Sequence, residues 1–217
     1  MPRLCAFLFA CLLSLTAAAQ PAFPEIGTRA EALLALEHAD ARHRASGVAF
    51  LAQSGLAGDG PLLARRLRDE SPFVRELAER GLWLVWSRSG DAEADRLLLA
   101  GIEQMNGGRQ AQAVEIFSQV IKRRPDFAEG WNKRATAHFL AGDLQKSLAD
   151  CDEVMKRNPQ HFGALAGYGQ IYLQLEQFDK SVEYFKRALA ANPNMGGVEL
   201  QIRAIEERLR ERRRKSI

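Results

Sequence analysis

Apolar and small residues recur at a fixed interval of 34 positions through the second half of the chain. Pro125, Pro159 and Pro193 mark this interval. A shift by 34 positions also aligns small residues with small ones, and large apolar residues mostly with large ones. Examples are Leu97, Trp131 and Leu165; Gly101, Ala135 and Gly169; and Phe117, Cys151 and Phe185. A small residue lets two helices approach closely, and a proline ends a helix. The pattern therefore predicts three helix pairs that stack around one continuous core.

The region before these pairs, residues 23–89, does not follow the interval. Two shorter units occupy it, Leu33–Gly55 and Leu62–Gly90. In each unit a Leu-rich helix meets an Asp, then an Arg (Arg44 or Arg75), and then a second apolar helix. We therefore predict two further helical units in this region.

Helix boundaries in the same region have their own signals. Thr28 and Glu31 have the spacing of a capping box. Ser71 precedes Pro72, as an N-cap precedes a first-turn proline. The stretch Gly58–Pro61 is rich in turn formers, so we predict an internal loop there.

After Pro193, apolar residues recur at intervals of 4, 3 and 4, at Val198, Ile202, Ile205 and Leu209. This spacing predicts one amphipathic helix, which would cover the exposed end of the stack. Its end is basic, because seven Lys or Arg stand against three Glu between positions 203 and 215. Cations near a helix C-terminus favour the helix dipole, which is the structural explanation of this charge.

The first residues have the layout of a secretory signal peptide. Arg3 is followed by an apolar run up to Leu15 and then by three alanines ending at Ala19. We expect cleavage after Ala19 and a periplasmic or secreted chain; the alternative is a lipoprotein anchored at Cys11. The cleaved chain would keep only Cys151, so no internal disulfide is expected, and its alignment with two phenylalanines predicts a buried thiol.

Composition supports an all-α chain of ordinary globular character. Hydrophobic residues make up 47% and charged residues 26% of the 217 residues, and only 8 are proline. Stretches rich in β-branched residues are few, which favours helices. The formal net charge of +3 is too small for nucleic-acid binding through general basicity, so no nucleic-acid partner is expected.

The 34-residue unit resembles the tetratricopeptide repeat, a pair of antiparallel helices that stacks into a superhelix. The joint from Asp69 to Ala78 resembles that of HEAT repeats. We therefore expect an all-α superhelix of helical hairpins. Its predicted parts are a signal peptide at 1–19, a HEAT-like segment at 20–90, three tetratricopeptide units within 91–195 (94–127, 128–161 and 162–195), and a capping helix with a basic tail at 196–217.

The resemblance implies a noncatalytic scaffold or adaptor of the bacterial cell envelope, which takes a peptide or helix of another protein in its concave groove. The residues expected to bind this partner are Asn132, Lys133, Thr136, Phe139, Ala166 and Gln170. Some members of the family hold a peptide carboxylate with Lys, Asn and Arg, and only Asn132 and Lys133 match that set here. On one helix Trp131, Ala135 and His138 share a face, so Trp131 is interpreted as packing against neighbouring helices.

An alternative function uses the basic tail. In that interpretation the chain is a peripheral binder of an anionic membrane or glycan. The residues concerned are Arg208, Arg210, Arg212, Arg213, Arg214 and Lys215. Each basic group near an anionic surface adds about 1 kcal/mol of attraction.

Residue patterns for catalysis or metal binding do not occur. His38 and His43 are five residues apart, which is the wrong interval for one helical face, and no Cys or carboxylate completes a ligand set around them. We therefore expect no catalytic residue, metal, cofactor or small-molecule substrate.

Overall fold

The computed structural model describes residues 23–215 of the chain, apart from the side chains of Arg213 and Lys215. These residues form eleven α-helices and a 3₁₀ turn at Ala57–Asp59 and contain no strand, so the predicted all-α fold is confirmed. The helices are α1 (Arg29–Leu36), α2 (Ala41–Ser54), α3 (Gly60–Arg66), α4 (Pro72–Trp86), α5 (Ala92–Asn106), α6 (Gln110–Arg123), α7 (Ala128–Leu140), α8 (Leu144–Arg157), α9 (Phe162–Gln174), α10 (Phe178–Ala191) and α11 (Gly196–Lys215). The predicted signal peptide and Cys11 lie outside the described residues.

Helices α5 to α10 form three hairpins, in which α5 packs on α6, α7 on α8, and α9 on α10. The first helices also contact one another, α5 against α7 and α7 against α9. Within residues 23–215 the second helices make no comparable contacts among themselves. The first helices therefore form the inner layer of a curved stack, and the second helices form the outer layer.

Two glycines allow the helices of the first and third hairpins to approach closely. A Cβ built on Gly101 would lie 2.4 Å from the ring of Phe117, and one built on Gly169 would lie 2.4 Å from the ring of Phe185. Both phenylalanines are completely buried. The small-and-large alignment in the sequence thus corresponds to direct packing between the two helices of one hairpin.

The hairpin turns use a left-handed backbone. Gly108 has φ +74° and Gly142 has φ +82°, a region that glycine enters without steric cost. In the third turn the residue at φ +56° is Glu176.

The N-terminal helices form two more hairpins, α1 with α2 and α3 with α4, and α2 packs on α4. The guanidinium of Arg44 on α2 donates to both carboxylate oxygens of Asp69 at 2.7 Å, which ties the two hairpins together. The likeness of this segment to HEAT repeats stays a prediction.

These N-terminal helices precede the three hairpins along the chain and also contact the last of them. They fold back onto the third hairpin, where Phe162 of α9, only 1% exposed, belongs to their hydrophobic core. Its ring centroid lies 5.0 Å from that of Trp83 and 5.1 Å from that of Trp86. The two tryptophans near the end of α4 need apolar cover, and Phe162 provides it.

Polar contacts close the same junction. The side-chain amide of Asn194 donates to the carbonyl oxygen of Leu67 at 2.9 Å, and Arg75 Nε donates to Asn194 Oδ1 at 3.1 Å. The loop after α10 is therefore held against the N-terminal helices by bonds that cross more than half of the chain.

The predicted helix starts are partly correct. Thr28 and Glu31 form the expected capping box of α1. Helix α4 begins at Pro72, but the side chain of Ser71 makes no capping bond; instead its backbone N–H donates to Asp69 Oδ1 at 3.0 Å. The prediction of a loop at 58–61 was wrong, because a 3₁₀ turn runs directly into α3 there.

Helix α11 packs on α10 at the end of the stack. Ile202 and Ile205 are buried against Phe178 and Phe185. None of the helices within residues 23–215 has both the length and the apolar character needed to cross a lipid bilayer.

Candidate functional site

A cavity of about 180 Å³ opens between α7, α8 and α9. Four of the six residues that were predicted to bind a partner line it: Asn132, Thr136 and Phe139 from α7 and Gln170 from α9. The remaining lining residues are Ala135, Ser147, Cys151, Gly163, Ala164, Gly167 and Ile171. The cavity thus has a mostly apolar floor and polar groups beside it, and no charged residue lines it.

Small residues in the sequence explain why this cavity exists. Cys151 occupies the position that Phe117 and Phe185 hold in the other two hairpins, so the floor of the middle hairpin lacks a phenyl ring. On the opposite wall, a Cβ added at Gly167 would meet only Cys151 Sγ, at an ordinary contact distance of 3.7 Å. The alignment of Cys151 with two phenylalanines predicted a buried thiol and gave no signal for the space beside it.

Two polar side chains lie beside this floor. Thr136 Oγ1 donates to the carbonyl oxygen of Asn132 at 3.0 Å. Gln170 Nε2 donates to Gln201 Oε1 at 2.8 Å, which links α9 to α11. Among the described residues no donor reaches Gln170 Oε1, so this oxygen is available to a ligand.

Lys133 and Ala166, the other two predicted residues, do not line the cavity. Lys133 Nζ lies 3.0 Å from Glu129 Oε1 and 5.7 Å from the ring centroid of Trp83. Its charge is therefore directed toward the junction with the N-terminal helices. Ala166 is half-buried on α9 outside the cavity lining.

Glu129 organises the polar groups beneath this surface, and sequence analysis did not single it out. Its Oε2 accepts from Asn132 Nδ2 at 3.0 Å and lies 2.9 Å from His161 Nε2. Burial raises the pKa of this carboxyl, but the hydrogen bond from His161 and the charge of Lys133 outweigh burial, so the net pKa lies below its ordinary value. Glu129 contacts both Asn132 and Lys133, so these two side chains are not free to bind the carboxylate of a peptide.

The environment of Trp131 is not the apolar packing against neighbouring helices that its spacing predicted. Trp131 is half-buried, and its Nε1 donates to the carbonyl oxygen of Pro125 at 3.0 Å. The guanidinium groups of Arg134 and Arg157 lie 5.0 and 4.7 Å from its ring centroid. The ring is therefore covered by cations at the edge of the stack, whereas Ala135 and His138 on the same face are buried as expected.

Cys151 is buried, as predicted, with 2% of its surface exposed. Burial and the neighbouring Asp150 and Asp152 raise the pKa of its thiol to about 12. Such a thiol is not a nucleophile near neutral pH. The residues that the structure describes contain no group of three His, Cys, Asp or Glu side chains placed to hold a metal ion.

Part of the predicted anionic-surface site is engaged within the chain. The guanidinium groups of Arg208 and Arg212 lie 4.9 and 4.7 Å from the ring centroid of Phe178. Arg212 also lies 3.6 Å from Glu176. Arg210 and Arg214 belong to the same helix, and the side chains of the two other basic residues are not described.

Two protein-family models match the hairpins. Both models are described as tetratricopeptide repeat; one matches residues 98–161 and the other residues 138–198. Residues 98–198 are therefore similar to the tetratricopeptide repeat family. The predicted resemblance is thereby confirmed for this part of the chain, whereas the matches do not reach the N-terminal helices.

Curated relatives agree with this family. A TPR repeat-containing protein of Rhizobium etli is 28% identical over 148 residues, which cover 68% of this chain and 72% of that protein. Hsp70-Hsp90 organizing protein 1 of Glycine max is 23% identical over 101 residues, which cover 46% of this chain but only 18% of that protein.

Solved tetratricopeptide structures share the fold. The first tetratricopeptide domain of Spaghetti (RPAP3), bound to the HSP90 peptide SRMEEVD, gives a TM-score of 0.52 at 20% identity and covers 55% of this chain and 95% of that one. The Sgt2 domain from Aspergillus fumigatus gives a TM-score of 0.54 at 17% identity and covers 57% of this chain and 83% of that one. At these identities the likeness concerns the fold alone.

Proposed function

We propose that this chain is a noncatalytic scaffold or adaptor that binds a peptide or helix of another protein on the inner surface of its tetratricopeptide repeats. The observation that carries the proposal is the cavity between α7, α8 and α9, with its apolar floor and polar neighbours. A partner bound to the related fold in solved structures supports the same mode, since the RPAP3 domain holds an HSP90 peptide.

The cavity favours one apolar side chain of the partner. Its volume of about 180 Å³ suits a single side chain, and no charged residue lines it. Gln170 Oε1 would accept from a main-chain N–H of the partner, which fixes the register of the bound segment. An acidic peptide tail is a poorer ligand here, because Glu129 already holds Asn132 and Lys133.

Export to the cell envelope is part of the proposal. The sequence pattern that supports it is the apolar run ending at Leu15, followed by the alanines before Gln20. N-terminal sequencing of the mature protein, together with cell fractionation, tests it. A start at Gln20 supports cleavage after Ala19, and an acylated Cys11 supports the lipoprotein alternative.

The binding test fills the cavity without removing a hydrogen bond. Gly167→Leu places a side chain in the cavity, and Gly196→Leu is the matched control, because nothing lies within 4 Å of a Cβ at Gly196. Affinity capture from envelope extracts, compared by quantitative mass spectrometry, should lose one protein with Gly167→Leu and keep it with Gly196→Leu. Both variants should melt near the temperature of the wild type.

A third variant separates this function from the alternative of an anionic-surface binder. Arg210→Gln with Arg214→Gln removes two charges of the basic tail but leaves the cavity intact. Loss of binding to anionic vesicles in this variant, with capture unchanged, assigns a separate activity to the tail. Capture that survives Gly167→Leu but fails in the tail variant contradicts the proposed site.

A further inference from the structure

A larger cavity, of about 570 Å³, lies at the junction between the N-terminal helices and the repeats. Its walls are the start of α3, the end of α4, and the loops that follow α6 and α8. The apolar lining residues are Ala57, Pro61, Ala64, Trp86, Phe127, Ala128 and Pro159. A cavity of this size falls within the range of small-molecule sites.

Trp86 brings an unpaired donor to this cavity. The residue is only 8% exposed, and its ring stacks on His161 with a centroid distance of 4.6 Å. Among the described residues no acceptor reaches its indole N–H. A Cβ built on Gly60 would lie 2.9 Å from Nε1, so this edge of the ring faces the cavity wall where α3 begins. An indole N–H usually pairs with an acceptor, and this one stays accessible, so an oxygen of a ligand in the cavity can accept from it.

Arg88 brings an uncompensated charge to the same cavity. Its Nη1 donates to the carbonyl oxygen of Gly55 at 3.0 Å, and the side chain is half-buried. In the part of the chain that the structure describes, no carboxylate lies within ion-pairing distance of Arg88.

The two other arginines of the lining differ from Arg88. Arg124 pairs with Asp126 at 2.9 Å, and Arg157 pairs with Glu153 at 2.7 Å. Asp126 is the one acidic residue in the lining, and Arg124 holds it. The lining therefore carries a net positive charge. Of its three arginines, Arg88 is the one that forms no ion pair with a described carboxylate.

We propose that this cavity binds a small organic anion with an apolar body. The oxyanion, a carboxylate or a phosphate, accepts from the indole N–H of Trp86 and from the guanidinium of Arg88. The apolar body lies against Phe127 and the two prolines of the lining. Hydrogen bonds to an ionised group in a partly buried site are among the stronger polar contacts, so two such donors give selectivity for the anion over a neutral isostere. This site is separate from the inner surface and does not depend on the proposed function.

The probes are 2-naphthoate, 2-naphthyl phosphate and the neutral 2-naphthamide, which share one ring system. Isothermal titration of the full chain gives each affinity, and the ¹⁵N–¹H signals of the tryptophan indoles locate the ligand. Trp86→Phe assigns the Trp86 signal and removes the donor, while it keeps an aromatic ring on His161. We expect at least one anion to bind about tenfold more tightly than the amide and to shift the Trp86 indole signal. The stronger of the two anions identifies the head group as carboxylate or phosphate.

Variants complete the test. Arg88→Gln should weaken the anion about tenfold and leave the amide unchanged. Ala64→Phe fills the cavity and should abolish binding of both the anion and the amide. Arg80→Gln, on the exposed face of α4 in a pair with Glu76, is the matched control and should leave binding unchanged. The proposal is overturned if the amide binds as tightly as both anions, if no anion binds at millimolar concentration, or if the Trp86 signal does not move at saturation.

Discussion

His161 Nε2 lies 2.9 Å from Glu129 Oε2, and neither side chain is exposed to solvent. His161 Nδ1 accepts the backbone N–H of Ala164 at 3.1 Å, so Nε2 carries the proton and donates it to the carboxylate. The ring of Trp86 stacks on the imidazole. This one pair therefore connects the start of α7, the N-cap of α9 and the N-terminal helices.

Removing the carboxylate should destabilise the whole junction. Glu129→Ala leaves His161, Asn132 and Lys133 without their common acceptor, so we expect a loss of about 3 kcal/mol in the free energy of unfolding. Urea denaturation at neutral pH measures it. Glu115→Ala, which alters an exposed residue of α6, is the control and should change the free energy by less than about 0.5 kcal/mol.

The same carboxyl predicts a direction for the pH dependence. Its pKa in the folded chain lies below the ordinary 4.5, so its stabilising contribution is complete above that value. The contribution is lost as the pH falls through the folded-state pKa, because protonation removes the charge that the partners stabilise. The difference between wild type and Glu129→Ala should therefore shrink in acid. A difference that stays constant down to about pH 3 contradicts this assignment.

Two glycines of α9 should respond oppositely to the same substitution. In Gly169→Ala the new Cβ would lie 2.4 Å from the buried ring of Phe185, so we expect a loss of about 2 kcal/mol. In Gly167→Ala the nearest atom lies at 3.7 Å, so the higher helix propensity of alanine should add up to about 1 kcal/mol. Thermal and urea denaturation of the two variants test the opposite signs, and equal effects would show that the ring of Phe185 moves aside.

The interval of 34 residues was enough to predict the hairpins and the close approach of two helices at small residues such as Gly101 and Gly169. Helical periodicity also placed Asn132, Thr136, Phe139 and Gln170 toward one surface, because a face follows from spacing alone. That these residues bind a partner stays a prediction.

Contacts between distant segments were not predictable from periodicity. Trp83 and Phe162 meet although no repeat relates them, because the N-terminal helices fold back against α9. Lys133 has the right spacing for the inner surface, but the buried charge of Glu129 draws its ammonium away from the cavity. A single sequence carries no signal for the buried contact between Glu129 and His161.

The third hairpin turn offers a stabilising substitution. Glu176 has φ +56° in this turn. The residues with positive φ in the first and second turns are glycines, Gly108 and Gly142. Glu176→Gly should raise the free energy of unfolding by about 0.5–1 kcal/mol, since it relieves the steric cost of a side chain in the left-handed region. The exposed contact with Arg212 contributes little against this gain. Glu183→Gly, inside α10, is the control and should instead cost about 1 kcal/mol in the same urea titration.

The thiol of Cys151 should report on the candidate cavity between α7, α8 and α9. Its raised pKa, about 12, and its burial should make alkylation by iodoacetamide at pH 8 at least about a thousandfold slower in the folded chain than in urea. Mass spectrometry of the peptide that contains Cys151 measures the rate. A cysteine introduced by Gln112→Cys on the exposed face of α6 is the control and should react readily in the folded chain. Because Cys151 forms part of the cavity floor, a peptide bound there should slow the alkylation of Cys151 further and leave the control site unchanged. Equal alkylation rates of the two cysteines in the folded chain would show that the floor is open to solvent.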